Sequence, residues 1–197
     1  MRLFVGLLFV GSALFQSTAY AQFNFYEVDQ GKLYRSAQMN ERELEETIKT
    51  HGVKTIINLR GENPDQPWYQ RESAVAARNG TQQIDIAMGS ETLPSRENLL
   101  KLLAAFKDAP RPILVHCQAG ADRTGEAVAL YEIIYMEKSK QEALKSLSFK
   151  YIHLAFKKPA KTYFIRDVWQ GEEWAETQYR PCDGQYKYYN VNNSECK

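Results

Sequence analysis

The sequence predicts an α/β fold: a central, mostly parallel sheet flanked by helices, with a glycine-bearing loop between one buried strand and the helix after it. Three observations predict it. Apolar, β-branched runs alternate with amphipathic segments through residues 33–134, the order that builds βα units on a parallel sheet. The runs carry little polar alternation, as strands covered on both faces do. The amphipathic segments are bracketed by cap and stop residues, which sets them apart as helices.

The elements follow in order. After an aromatic lead (Phe23, Phe25, Tyr26), residues 32–36 read as a short strand. Asn40 is the N-cap of a helix running to Lys49 and stopped at Gly52. Residues 53–59 are β-branched and apolar, a strand buried on both faces. A loop with Gly61, Pro64 and Pro67 leads to a helix over 68–79 that stops at Gly80. Residues 82–88 form the next strand, and Pro94-Ser95 opens a helix whose apolar side carries Leu99, Leu102, Leu103 and Phe106. Pro112 introduces a buried strand over 113–115, and Thr124 starts a helix with Val128, Leu130 and Ile133. Helical patterns resume over 140–147 and 161–177, and from Arg180 the chain reads as an irregular tail.

Composition excludes two broad classes. With 12% aromatic residues and 25 Lys+Arg against 24 Asp+Glu, the chain is not a disordered polyelectrolyte. It also lacks the bulk positive charge that a dedicated nucleic-acid binder needs. Residues 1–21 have the pattern of a secretory signal, an apolar run from Leu3 to Phe15 and an Ala19-Tyr20-Ala21 cleavage site. The run falls short of the ~20 apolar residues of a membrane span, so no stable membrane anchor is expected after cleavage. The expected organisation is a cleaved signal over 1–21, one domain over 22–178 and a tail over 179–197, in a periplasmic or secreted protein. Cleavage removes Arg2 and no acid, leaving equal numbers of basic and acidic side chains. Cys182 and Cys196 close a short tail segment, and an oxidising compartment makes their disulfide the natural outcome. Such a bridge stabilises by ~3 kcal/mol if unstrained. Cys117 is the leftover thiol, expected to be recessed in its pocket.

The chemistry sits in His116-Cys117-Gln118-Ala119-Gly120-Ala121-Asp122-Arg123-Thr124-Gly125. Between a strand and a helix, consecutive amides can converge on an anion with the helix dipole behind them. A cysteine opening such a loop has its thiolate stabilised and is nucleophilic at neutral pH. Gly120 permits the sharp loop. Arg123 can fold over it and grip two phosphate oxygens as a planar fork. Thr124 can offer its hydroxyl to the sulfur.

This segment resembles the active-site loop of the cysteine-based protein tyrosine phosphatase superfamily, whose His-Cys-x5-Arg-Ser/Thr pattern is met by His116, Cys117, Arg123 and Thr124. Compact bacterial dual-specificity-like members are most similar, because Leu33-Tyr34-Arg35-Ser36-Ala37-Gln38 and Ile57-Asn58-Leu59-Arg60-Gly61-Glu62 resemble segments that recur among them. The resemblance implies that fold and a two-step hydrolysis of phosphate monoesters with no metal and no cofactor. Cys117 attacks phosphorus, Arg123 and the amides from Gln118 through Ala119, Gly120 and Ala121 to Arg123 hold the oxygens, Thr124 completes the substrate-binding set, and His116 supports the loop. Many relatives place the general acid about thirty residues before the nucleophile, where Asp85 stands; Glu91 lies in the loop after it. Others use an Asp immediately before the loop arginine, which Asp122 matches, and Asp122 is the leading choice.

Arg60 follows a strand end and is a candidate substrate contact. Lys150, Lys157, Lys158 and Lys161 can add positive field, although a solvated helix edge is the simpler reading of that run. Tyr34-Arg35-Ser36 reads as structural. Inositol polyphosphate and phosphotyrosine or another phosphoprotein are the expected substrates, with phospholipid behind them. The alternatives are a catalytically weak or silent phosphate-binding module and a rhodanese-like sulfurtransferase. Oligomeric state is not legible in the sequence.

Overall fold

The computed structural model describes residues 23–189; the leader over 1–21 and Cys196 lie outside the described residues. Five strands, β1 (Tyr26–Asp29), β2 (Leu33–Ser36), β3 (Thr55–Asn58), β4 (Gln82–Asp85) and β5 (Ile113–His116), form one sheet in the order β1-β2-β5-β3-β4. Only β1 runs antiparallel to its neighbour. All residues of β2, β3 and β5 are buried, which explains the apolar Ile-Ile and Ile-Leu-Val runs of β3 and β5, while β2 buries Arg35 and Ser36 as well.

The register positions the site. Ser36 pairs with His116, His116 with Asn58, and Asn58 with Asp85, so the carboxyl ends of four parallel strands lie in one row. Whatever follows those residues emerges at the same edge of the sheet, where parallel sheets bind ligands.

Helices cover both faces. On one side α1 (Glu41–His51) and α2 (Pro67–Arg78) pack on a cluster that includes Tyr34, Ile56, Leu114, Leu44 and Val75. The other cluster contains Leu33, Ile57 and Val115 with residues of α3 (Arg96–Asp108), α4 (Asp122–Tyr135), α6 (Pro159–Tyr163) and α7 (Glu172–Thr177). Adjacent residues Ile56 and Ile57 enter opposite layers, as the two-residue period of a strand requires. Asn40 caps α1 in a reciprocal pair with Glu43, accepting from its amide while the Glu43 carboxylate accepts from the Asn40 amide. Ser95 caps α3 by accepting from the Asn98 amide. Among the described residues no helix is long and apolar enough to cross a membrane.

Several elements depart from the sequence expectation. The aromatic lead enters the sheet as β1, an edge strand whose half-exposed Tyr-Glu-Val-Asp sequence carries no buried-strand signal. The helix of the catalytic loop begins at Asp122, two residues before Thr124, so Asp122 and Arg123 occupy its first turn. The segment over 140–147 is α5 (Lys140–Ala143) followed by a 3-10 turn over Leu144–Ser146. The expected helix over 161–177 is broken: α6 passes into a π-helical stretch over Phe164–Val168, the chain is extended at Trp169, and α7 restarts after Gly171 at φ 117. The tail is largely irregular, but Tyr186 and Tyr189 pack against the larger core, so it is not detached from the domain.

Candidate active site

The loop between His116 and Asp122 is held from outside by its own carbonyls. Gln118 O accepts from the Gln38 amide at 3.1 Å. Ala119 O accepts from Asn24 Nδ2 at 2.9 Å, and Gly120 O accepts from a guanidinium nitrogen of Arg35 at 2.8 Å. Carbonyls drawn outward leave the amides of the same peptides to point inward. Arg35 is completely buried, donates also to Ser146 O at 3.1 Å, and lies 3.7 Å from the centre of the Tyr151 ring. The Tyr34-Arg35-Ser36 segment is thus structural, as read from the sequence, through Arg35. Gly120 has φ +67, and a Cβ there would sit 2.6 Å from the Ser36 carbonyl carbon and oxygen. Only glycine allows this loop to lie against the end of β2.

Cys117 is 2% exposed, recessed as the sequence reading expected of the leftover thiol. Burial pushes its pKa up, but the hydroxyl of Thr124, the Arg123 charge and the amides of Thr124 and Gly120 outweigh burial and hold it below the ordinary thiol value. Arg123 makes only long contacts, 3.4 Å each, to the carbonyls of Leu59 and Met88, and its buried Nε has no hydrogen-bond partner. A part-buried guanidinium with an unused donor beside a thiol of lowered pKa is suited to a tetrahedral oxyanion. Arg60 stands nearby: burial and the charge of Arg123 lower its pKa, while Glu72 and Cys117 raise it. Two guanidinium groups and one sulfur therefore share a field.

Behind the loop is a chain of contacts that sequence reading missed. His116 Nε2 lies 3.1 Å from Glu72 Oε2, both side chains 2% exposed, an ion pair outside the alignment of a straight hydrogen bond. Its Nδ1 is 3.3 Å from the Cys117 carbonyl. Burial lowers the His116 pKa, but Glu72 and the carbonyl more than offset it, so the imidazolium is favoured above its usual range; Glu72, penalised by burial, is held lower by His116, Gln38 and Arg60. Gln38 donates to Glu72, accepts from Arg60 at 3.0 Å, and Arg60 lies flat over Trp68 at 3.5 Å. The only sequence sign of Glu72 was an acid on the buried face of an amphipathic helix.

The three carboxylates considered as acid have different surroundings. Asp122 Oδ1 is 2.7 Å from Nδ1 of buried His153, whose Nε2 is 3.3 Å from Thr162 Oγ1. Glu91 is exposed and accepts from Lys158 at 2.5 Å. Asp85 is committed on both oxygens: Oδ1 accepts from Asn58 and Gln83 at 2.8 and 3.0 Å, and Oδ2 accepts from Tyr69 at 2.6 Å. The solvated edge expected for the lysine run fails at Lys161. It is fully buried, donating to Glu126 Oε2 at 2.7 Å and Thr92 O at 2.8 Å, because Glu126 of α4 faces α6 in the core. Among the described residues no group of three His, Cys, Asp or Glu side chains converges to hold a metal ion. Cys117 is a free thiol.

A parallel-sheet domain with a depressed, recessed cysteine and a facing arginine on a strand-loop-helix turn defines a cysteine-based phosphatase of the tyrosine or dual-specificity type. The comparisons agree: residues 16–164, about three quarters of the chain, match the family described as DSP-PTPase phosphatase fused to NAD+ kinase, and the chain belongs to that family. No curated protein is similar enough in sequence to count as a match. Among solved structures, TpbA of P. aeruginosa is 24% identical with a TM-score of 0.57, over 77% of this chain and 93% of that one. TpbA has also been solved, as a cysteine-to-serine variant, with phosphotyrosine bound. The catalytic domain of the PP-IP phosphatase Siw14 of S. cerevisiae is 22% identical with a TM-score of 0.61, over 75% and 86%. At these identities the likeness establishes the fold.

Proposed function

We propose that this chain hydrolyses phosphate monoesters through a phosphocysteine on Cys117, with Arg123 and the loop amides binding the phosphoryl oxygens and Asp122 as general acid. The observation that carries the reading is the depressed thiol of Cys117 beside the unused donors of Arg123. The sulfur forms the S–P bond as the P–O bond to the leaving group breaks, and Asp122 delivers a proton to that oxygen. Water then attacks the phosphocysteine, giving up a proton to the Asp122 carboxylate and releasing phosphate with the thiolate. The commitments of Asp85 and the exposure of Glu91 favour Asp122. His153 fixes its carboxyl through the 2.7 Å contact to Oδ1.

The substrate proposed is a multiply phosphorylated small molecule of the inositol polyphosphate class, with phosphotyrosine as the second reading. Arg60 supports the first, because a second guanidinium near Arg123 and Cys117 suits a second phosphate. The phosphotyrosine bound to TpbA supports the other. Export, cleavage before Gln22 and a Cys182–Cys196 bridge complete the reading, supported by the leader pattern and the engaged state of Cys182.

Turnover of p-nitrophenyl phosphate tests the core of it. Wild type should hydrolyse it and Cys117→Ser should not; no turnover by wild type, or unchanged turnover by the variant, would leave a phosphate-binding module instead. Phosphate release from inositol hexakisphosphate, a phosphotyrosine peptide and phospholipid vesicles in parallel ranks the substrates. The intact mass of the exported protein, without reduction, checks the leader and the bridge.

A further inference from the structure

One segment of the lysine run is not explained by phosphate hydrolysis. Residues 143–166 contain six basic side chains and no Asp or Glu; Lys158, Lys161 and Arg166 are paired with Glu91, Glu126 and Asp167, while Lys150 and Lys157 form no salt bridge among the described residues. Phe149 and Phe156, each 79% exposed, are the most exposed large apolar side chains among the described residues, and Ile152 between them is 46% exposed. Ile152 has φ +64. A β-branched residue in the left-handed region is strained, and such strain persists where a functional surface requires it. Here it ends the 3-10 turn over Phe149–Tyr151 and leaves an apolar side chain in water. Tyr26 joins the patch edge-on to Tyr151 at 5.0 Å.

We infer that this patch docks on an anionic phospholipid bilayer. The cations sit at the level of the rings: Lys150 Nζ is 5.1 Å from the Tyr26 ring and 5.0 Å from the Tyr151 ring, and Lys157 Nζ is 5.9 Å from that of Phe156. Phenyl groups that enter the acyl boundary beside lysines that meet lipid phosphates form an interfacial anchor. A stable protein interface needs about 800 Å² on each side, whereas this patch is a few side chains on short turns, a shape suited to a deformable surface. Lys150 and Lys157, beside the exposed rings and outside any salt bridge among the described residues, specify the negative sign of that surface.

The patch is bound to the catalytic loop. Asn24 Nδ2 donates to both Ala119 O and Tyr151 O, Arg35 stacks on Tyr151 beneath the loop, and His153, next to Ile152, holds Asp122. Docking would therefore hold the catalytic loop close to the lipid phosphates and to phosphorylated molecules gathered there.

The test is co-sedimentation of the full chain with vesicles of phosphatidylcholine alone or containing about 30% phosphatidylglycerol, which gives the surface a negative potential. Binding is expected on the anionic vesicles and to weaken with salt. At about fivefold per lysine, Lys150→Glu/Lys157→Glu should weaken it at least about 25-fold. Phe149→Ser/Phe156→Ser should weaken it with the charge intact, and both pairs should hydrolyse soluble p-nitrophenyl phosphate at the wild-type rate. An apolar leader would contribute equally to every variant, so the readout is the difference between variants and between vesicles. Equal binding to both vesicles, none to either, or binding unaffected by either pair overturns the proposal; no binding to either would give the patch to an acidic protein partner. Cys117→Ser should bind as wild type does, so a failure of hydrolysis and a failure of docking are read separately.

Discussion

His153 Nδ1 lies 2.7 Å from Asp122 Oδ1, a contact between a buried imidazole on an irregular turn and the first residue of α4, thirty-one positions earlier. It joins the proposed general acid to a part of the chain that carries no recognisable phosphatase motif.

If His153 positions that acid, its removal should matter only when the leaving group needs a proton. His153→Asn is expected to keep p-nitrophenyl phosphate turnover within about twofold and to lower phenyl phosphate turnover by about tenfold or more. Asp122→Asn should lower the latter by about 10²-fold or more. Steady-state rates across leaving groups check this, because a merely structural role would not single out the poor leaving group. Equal loss on both substrates would make His153 a packing residue.

The buried Glu72–His116 pair predicts a pH window of stability. His116 is raised above 6.5, so its contribution is complete below that pH and fades as pH rises through the folded value; Glu72 is lowered from 4.5, so its contribution is complete above that pH and fades as pH falls. Glu72→Gln should therefore destabilise most between pH 4.5 and 6.5, by about 1–3 kcal/mol. Denaturant melts across pH measure the difference. Without the His116 charge the Cys117 thiolate loses support, so the acidic limb of the pH-rate profile should move upward.

Arg35 ties the loop carbonyl of Gly120 to the carbonyl of Ser146 by donating to both at once, a geometry that an ammonium cannot reproduce. Arg35→Lys is expected to lower stability by about 2 kcal/mol and to lower kcat further than that loss explains. Gly120→Ala meets the Ser36 carbonyl and an unfavourable φ; displacing the loop by about 1 Å should lower kcat by about 10²-fold. Turnover measured where both variants remain folded tests each. Wild-type kcat in either would exclude the loop support described.

Lys161 and Glu126 are fully buried, and Glu126→Gln should cost about 3–5 kcal/mol because it leaves Lys161 uncompensated. The double substitution Glu126→Leu/Lys161→Met should recover most of that loss, since an apolar pair avoids the desolvation of two charges. Chemical denaturation of the two variants compares them.

The strand-loop-helix around Cys117, the capped helices α1 and α3, the short strand β2 and the apolar runs of β3 and β5 were all legible in the sequence. Each depends on neighbours a few residues away: Asn40 finds Glu43, Ser95 finds the Asn98 amide, and Cys117 is followed by its own loop amides and arginine. β1 was not legible, because an edge strand with one partner needs no apolar alternation. Nor was the break at Trp169, where buried Phe164, Trp169, Trp174 and Tyr179 pack together and override helical periodicity.

By itself the sequence determined the class of chemistry, since a thiolate, an arginine and a run of amides at that spacing need only local backbone geometry to meet. The tertiary structure alone decided which groups stand behind them. Arg35 reaches Gly120 across 85 positions, His153 reaches Asp122 across 31, and Lys161 reaches Glu126 across 35. Those partners are chosen by sheet register and helix packing, which bring four strand ends into one row. Burial then makes each polar side chain take the nearest complementary group instead of water.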